Sequence, residues 1–351
     1  MVDSRITKLA GILVNYSVEI DKKDVVLVNY DIEAKDLALE VYREIIKKGA
    51  YAKLNVNIPG FDYVFYKHAS EEQLKHLPKL FLHEMKLAKA VITIIAQSYR
   101  ELASADPGKL SMWSKTTRPI FELRLKRNNW VLCGYPSKSL AQEAGMPLEE
   151  FEDFVFAATN IDWEAASKRM DLLRDILNKA KKVQIVGDDT DLAFSIKGST
   201  AIKCDGKYNM PDGEVFTAPR RDSVNGKVRF IYPSLSKGKV VTDICLEFKD
   251  GRVVDASASK NAEFLNKMLD TDDGSRYLGE FGIGTNYGIK RFINNTLFDE
   301  KIGGTIHLAL GNAYPESGGK NKSAIHWDIV TRPHIVKVDD RVILKDGEFM
   351  F

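Results

Sequence analysis

Two rhythms of hydrophobicity, changing over near residue 181, limit what this chain can become. Before that point, strand-length apolar runs alternate with helix-length amphipathic ones. "VVLVNY" (residues 25–30) leads into a segment whose Leu37, Ala38, Val41, Tyr42 and Ile45 fall on one helical face and which Gly49 stops. "AKLNVNI" (52–58) and "AVITII" (90–95) follow in turn. Strands separated by helices pair through crossovers, so the pattern predicts an α/β fold that begins with a βαβ domain and a mostly parallel sheet. A longer amphipathic helix is predicted from Asp162, a suitable N-cap, with Ala166, Met170, Leu173, Leu177 and Ala180 on its buried face and Lys181-Lys182 at its end. From "VQIVG" (183–187) onward, short β-branched runs alternate with turns, which predicts a second, α+β domain. The expected division is residues 1–181 and 182–351.

Length and composition fit two ordinary cores. The chain has 351 residues, more than one core usually organises, and is 44% hydrophobic and 28% charged, the balance of a soluble globular protein. With 51 basic and 49 acidic residues the formal net charge is +2, which provides no overall field for nucleic acid. The basic clusters at residues 124–127 and at Arg220-Arg221 are short enough to be solvated faces. No apolar run approaches a membrane span, and residues 1–20 carry Asp3, Arg5, Lys8 and Glu19 in place of a hydrophobic leader block. Cys133, Cys204 and Cys245 have no CxxC spacing, which argues against a disulfide framework or a thiolate zinc site. The expectation is a cytoplasmic protein without nucleic-acid or membrane partners.

Several polar residues do not read as surface. In "TIHLALG" the period of two sets Ile306, Leu308 and Leu310 on one strand face and His307 on the other. In "IHWDIV", Ile325, Trp327 and Ile329 share an apolar face while His326 and Asp328 project together from the opposite one, spaced roughly 6.6 Å along the strand. Two readings of that pair stand side by side: a metal-ligating pair, or a half-buried histidine that Asp328 orients. The glycine- and serine-rich segment between the two strands reads as an antiparallel connection able to bring His307 beside His326, and it carries Tyr314. Two carboxylates have unusual settings. In "NMPDGEVFTAP", Pro211 and Gly213 suit a turn that fixes Glu214. In "YLGEFGIGTNYG", Gly279, Gly282 and Gly284 surround Glu280 and let the backbone approach another group closely. No phosphate-binding glycine motif is present. Asp299 and Glu300, in "LFDEK", precede His307 with less specificity.

These stretches, with "VQIVGDDTDLAFSIKG" and "TLFDEKIGGTIHLALGNAYPESGGKNKSAIHWDIV", closely resemble metallopeptidase family M29, the thermophilic aminopeptidases of the aminopeptidase T type. The resemblance spans most of the chain and is most specific from about residue 183 to 330. It implies that Glu214, Glu280, His307, His326 and Asp328 are metal ligands and that Tyr314 matches the family's tyrosine. A further family glutamate falls on Glu300, where this chain is two residues longer before the histidine. It also implies a metalloaminopeptidase acting on short peptides as a homodimer, with residues 182–351 catalytic and residues 1–181 serving assembly and a wall of the cavity. Imidazoles and carboxylates without thiolate suit two divalent ions, drawn from Zn, Co, Mn or Mg. Glu280 is then the candidate for proton handling or for bridging the ions, and Tyr314 for a hydrogen bond to the oxyanion. The same inventory would serve another dinuclear hydrolase of amides or phosphate esters, with Arg220-Arg221 as the basic residues at hand, or a peptide-binding protein with a structural metal.

Overall fold

The computed structural model describes residues 2–97, 102, 105–126 and 129–351. Arg127 of the first basic cluster lies outside them. Contacts divide the chain into two units, Met1–Asn160 with Gly206–Pro211 and Ile161–Asp205 with Asp212–Phe351. The division falls at Asn160 and not near residue 181, because the helix Trp163–Lys179 packs on the strands Ile202–Cys204 and Glu214–Thr217 of the second unit. Its amphipathic pattern fixes which face is buried but not which core receives it. Asp162 caps it as expected, accepting the Ala165 N–H at 3.0 Å, and Ala166, Met170, Leu173 and Leu177 are buried.

In the first unit the strands Tyr51–Asn57, Val25–Asp31, Ala90–Ile95, Trp130–Gly134 and Asn209–Met210 lie side by side in that order, every pairing parallel. Parallel neighbours require crossovers, and the helices Lys35–Lys47, Lys79–Leu87 and Pro107–Lys126 lie within them. Of the helical face read from the sequence, Leu37, Ala38, Val41 and Ile45 are buried, whereas Tyr42 remains exposed.

The second unit contains an eight-stranded antiparallel sheet and a five-stranded one. The smaller sheet runs His326–Thr331, Ile306–Gly311, Leu278–Gly284, Glu214–Thr217, Ile202–Cys204, all antiparallel. One of its faces is apolar, with Ile306, Leu308, Leu310, Phe281, Ile283, Trp327 and Ile329 buried. The Phe281 ring meets Phe194 of the larger sheet edge to face, 5.2 Å between centroids. Among the described residues no helix is long and apolar enough to cross a membrane.

One carboxylate fixes the approach to the first strand of the smaller sheet. Asp272 accepts hydrogen bonds from the Ala324 N–H (2.6 Å), the hydroxyls of Ser323 and Ser275 (both 2.8 Å) and the Gly274 N–H (3.0 Å). These donors, the Ala324 N–H foremost, hold its pKa down at about 2, against an ordinary 3.8. A depressed carboxylate stabilises the fold above its ordinary pKa and loses that contribution as the pH falls through the folded value. Asp272→Asn is therefore expected to cost about 2 kcal/mol at neutral pH. In urea titrations the gap between variant and parent should close as the pH approaches about 2.

Candidate metal centre

Register brings the polar residues of the smaller sheet to one face. Gly282 pairs with His307, Glu280 with Ala309, Ala309 with Asp328, Gly311 with His326, and Gly284 with Glu214. Directly paired residues project to the same side of an antiparallel sheet, so five candidate ligands share a floor made of glycine and alanine. The glycines are needed there. A Cβ on Gly282 would lie 2.1 Å from His307 Cε1 and Nε2, so the imidazole occupies the space that a side chain would take. The pairing also shifts register between Leu278 and Glu280, a bulge that re-aims Glu280. At Gly213, φ is +119° and an added Cβ would fall 2.8 Å from Asn286 Cβ. The Thr285 N–H donates to the Gly213 carbonyl at 2.8 Å and the Gly213 N–H to the Cys204 carbonyl at 3.0 Å, and together these fix how Glu214 enters its strand.

The side chains converge as two groups that share Glu280. His307 Nε2 lies 3.1 Å from Glu280 Oε1 and 3.2 Å from Glu214 Oε2; His326 Nε2 lies 3.4 Å from Asp328 Oδ1 and 3.9 Å from Glu280 Oε2. On the other side of each ring, Nδ1–H donates to a backbone carbonyl, that of Glu300 for His307 (3.1 Å) and that of Asn312 for His326 (2.8 Å). A carbonyl can only accept, so the tautomer is set and both Nε2 atoms are directed at the carboxylates. Among the described residues Glu214 Oε2, Glu280 Oε2 and Asp328 Oδ1 are buried without a well-formed hydrogen bond, although Glu214 and Asp328 lie within ion-pair distance of an imidazole. Buried anionic oxygens in this condition are costly unless a cation meets them. Two sets of donors, Glu214/Glu280/His307 and Glu280/His326/Asp328, are each tight enough to hold one cation.

Electrostatics agree with that reading. Burial pushes Glu214 up to about 8, opposed chiefly by Lys301, and burial also raises Glu280. For His307 burial disfavours the charged form, but the hydrogen bond to Glu280 and the charges of Glu214, Glu280 and Asp328 prevail and lift it to about 10. His326 reaches about 10 against its own burial through Asp328 and Glu280, and Asp328 is correspondingly lowered. Protons on the imidazoles compensate the carboxylates, which is the place that bound cations would take.

Around this core, Tyr314 stacks obliquely on His326, 4.9 Å between ring centroids, and burial together with Glu280 and Asp328 raises its phenol. Glu300 stands apart from both donor groups. Its backbone carbonyl holds His307, and its carboxylate pairs with Lys301 Nζ. Asp299 accepts the N–H groups of Ile293 (2.8 Å) and Asn295 (2.6 Å) and so fixes the local turn. Arg221 lies over the Tyr277 ring at 4.0 Å.

Three residues of the centre were not read from the sequence. Lys301 is fully buried, with Nζ 3.7 Å from Glu214 Oε1, and despite burial its pKa stands well above the ordinary value because Glu214, Glu300 and Asp212 surround it. Cys204 and Asp212 form a third donor group with Glu214. The one available signal was a lysine set between Asp299-Glu300 and the apolar run "IGGTIHLALG", since a lysine that cannot reach water needs an anionic partner.

Comparisons with known proteins give the family and the fold. Residues 2–349 match the family model described as Thermophilic metalloprotease (M29). Aminopeptidase 2 of Geobacillus stearothermophilus is 30% identical, over 99% of this chain and 95% of that protein. Aminopeptidase T of Thermus thermophilus is 28% identical, over 97% of this chain and 95% of that protein. Among solved structures, wild-type AmpT from Thermus thermophilus has the same fold, with a TM-score of 0.84 at 24% identity over 99% of both chains.

Proposed function

This chain belongs to the thermophilic metalloprotease family M29, whose members hydrolyse peptide bonds with the help of metal, and from that premise we propose a dinuclear aminopeptidase that removes amino-terminal residues from short peptides. One observation carries the dinuclear reading: the Glu280 carboxylate faces His307 with one oxygen and His326 with the other. Glu214 and His307 would complete one site, His326 and Asp328 the other, with Glu280 shared. The buried, unsatisfied carboxylate oxygens and the Nδ1-anchored imidazoles support that fit. Two divalent cations held there, of Zn, Co, Mn or Mg, would supply Lewis-acid polarisation of the scissile carbonyl and lower the pKa of the attacking water.

The chain's own residues supply the rest. Glu280 is placed to accept the proton of the attacking water and return it to the departing amine. The Tyr314 phenol, beside His326, donates a hydrogen bond to the oxyanion as the carbonyl carbon becomes tetrahedral. Lys301 pairs with both Glu214 and Glu300 and opposes the effect of burial on Glu214. We assign the chemistry to the second unit, assembly to the first, the working form to a homodimer and the location to the cytoplasm.

The direct test uses chelated, dialysed protein with a leucine p-nitroanilide and with its N-acetylated counterpart. Turnover should vanish on chelation, return with Co, Zn or Mn, and be confined to the free amine. Elemental analysis of the active form should give two ions per chain. Equal cleavage of the acetylated substrate would rule out an exopeptidase, and full activity at one ion per chain would rule out the dinuclear centre.

A pH dependence follows for the metal-stripped protein. Histidines with raised pKa values stabilise the fold fully below the ordinary 6.5 and lose that contribution as the pH rises through about 10; Glu214 loses its own between 4.5 and about 8. Asp328, being lowered, acts in the opposite sense and only in acid. The stripped protein should therefore melt lower at about pH 9.5 than at about pH 7, and by a wider margin than the metal-loaded protein does. Calorimetry of both forms checks this.

A further inference from the structure

Tyr314, the proposed donor to the oxyanion, belongs to a loop. It stands between the strands Ile306–Gly311 and His326–Thr331, just ahead of the short 3-10 turn Pro315–Ser317, and is 40% exposed. A donor that must meet a charge developing only in the transition state needs a fixed place, because a displacement of about 1 Å can cost about a hundredfold in rate.

The loop backbone is tied down on both sides of it. Asn321 Nδ2 donates to the carbonyls of Gly311 (2.6 Å) and Gly274 (2.8 Å), and the Ala313 N–H donates to the Asn321 carbonyl (3.0 Å). Beyond Tyr314, the Ser317 hydroxyl donates to the Tyr314 carbonyl (2.7 Å) and the Thr200 N–H to the Ser317 carbonyl (3.0 Å). A Cβ on Gly319 would meet those of Ala313 at 2.4 Å and Ala218 at 3.1 Å, so the turn is seated closely on the residue that follows the strand Glu214–Thr217. These contacts place the Tyr314 backbone. They do not by themselves choose among the staggered positions of its side chain.

Two rings make that choice. His326 lies 4.9 Å from the Tyr314 ring centroid and Phe216 lies 5.7 Å from it, each inclined at 57°, within the range over which aromatic pairs hold a preferred geometry. His326 is anchored through Nδ1 to the Asn312 carbonyl. Phe216 comes from a strand and not a loop, and it is buried, 8% exposed. Alternation along Glu214–Thr217 puts it on the same face as Glu214, and register pairs it with Gly282, whose other neighbour is His307. It is therefore a fixed apolar side chain on the metal-facing side of the sheet.

We infer that Phe216 is a positioning residue for the proposed reaction: its ring, together with that of His326, holds the Tyr314 phenol where the oxyanion forms. The inference rests on the oxyanion role proposed for Tyr314. Phe216 has no polar atom to offer the reacting groups, so it acts on the rate only through the phenol. A leucine at this position keeps the strand apolar but gives up the ring face, and the phenol then turns toward solvent. Because the oxyanion is absent from the ground-state complex, the loss falls on kcat and not on KM.

A double-mutant cycle on the metal-loaded full chain with a leucine p-nitroanilide tests this, using the parent, Phe216→Leu, Tyr314→Phe and the pair. Phe216→Leu should lower kcat by at least about tenfold and leave KM within about twofold, with the melting temperature and the ions bound per chain unchanged. In the Tyr314→Phe background the same substitution should change kcat by less than about twofold, since the phenol it positions is gone. Phe216→Met, apolar and without a ring, should reproduce the loss, and it takes the place of the leucine variant if that one fails to fold. A Phe216→Leu enzyme with parent kcat, one that loses an ion, or one that loses the same factor in both backgrounds would overturn the inference. Parent kcat in Tyr314→Phe would instead overturn the oxyanion role itself, and the inference with it.

Discussion

Glu280→Gln is expected to lower kcat/KM toward a leucine p-nitroanilide by about a thousandfold, while the protein folds and melts close to the parent temperature. The side chain is 5% exposed and isosteric with its replacement, so packing is kept. Its charge is not. In the parent the carboxylate faces His307 at 3.1 Å and His326 at 3.9 Å, and an amide can offer an acceptor to only one of the two rings. Removing a negative charge that is buried near Asp328 relieves repulsion, which offsets part of the lost hydrogen bond to His307. Elemental analysis of the variant then separates the two roles given to this residue. Loss of one ion together with activity identifies bridging; retention of both ions with a collapsed kcat identifies proton handling. A variant with near-parent kcat/KM and a full complement of metal would remove Glu280 from the centre.

The faces of individual strands were legible because a period of two states which residues share a side. His307, His326 and Asp328 project away from Ile306, Leu308, Trp327 and Ile329, as their alternation requires. The parallel sheet of the first unit was legible for a similar reason, helices intervening where hairpin turns would otherwise stand. Interactions between distant segments were not. Cys204 comes to Glu214 through a pairing of short strands whose register no local pattern announces. The burial of Lys301 depends on how the turn at residues 299–304 folds back, and the buried face of the helix Trp163–Lys179 is as compatible with one core as with the other. Glu300 illustrates the same limit. Its place just upstream of His307 is visible in the chain, yet its carboxylate turns to Lys301 and its backbone carbonyl, which has no side-chain signature, does the work of orienting the histidine.

Gly282→Ala is expected to do nearly as much damage as Glu280→Gln without changing any charge. Its single methyl group would sit 2.1 Å from two atoms of the His307 ring, far inside contact distance, and neither partner has room to yield. The histidine is fully buried and tied at Nδ1 to the Glu300 carbonyl; Gly282 lies within the strand Leu278–Gly284, paired on one side with His307 and on the other with Phe216. Relief must come from turning the ring or parting the strands, and overpacking of this kind costs about 1–3 kcal/mol. A turned ring carries Nε2 away from Glu280 Oε1 and Glu214 Oε2, so the donor set Glu214/Glu280/His307 is dispersed. The variant should keep the His326/Asp328 group, bind about one ion instead of two, and lose at least about a hundredfold in kcat/KM. If it retains both ions and parent activity, His307 does not hold a cation through Nε2, and the first half of the proposed centre is wrong.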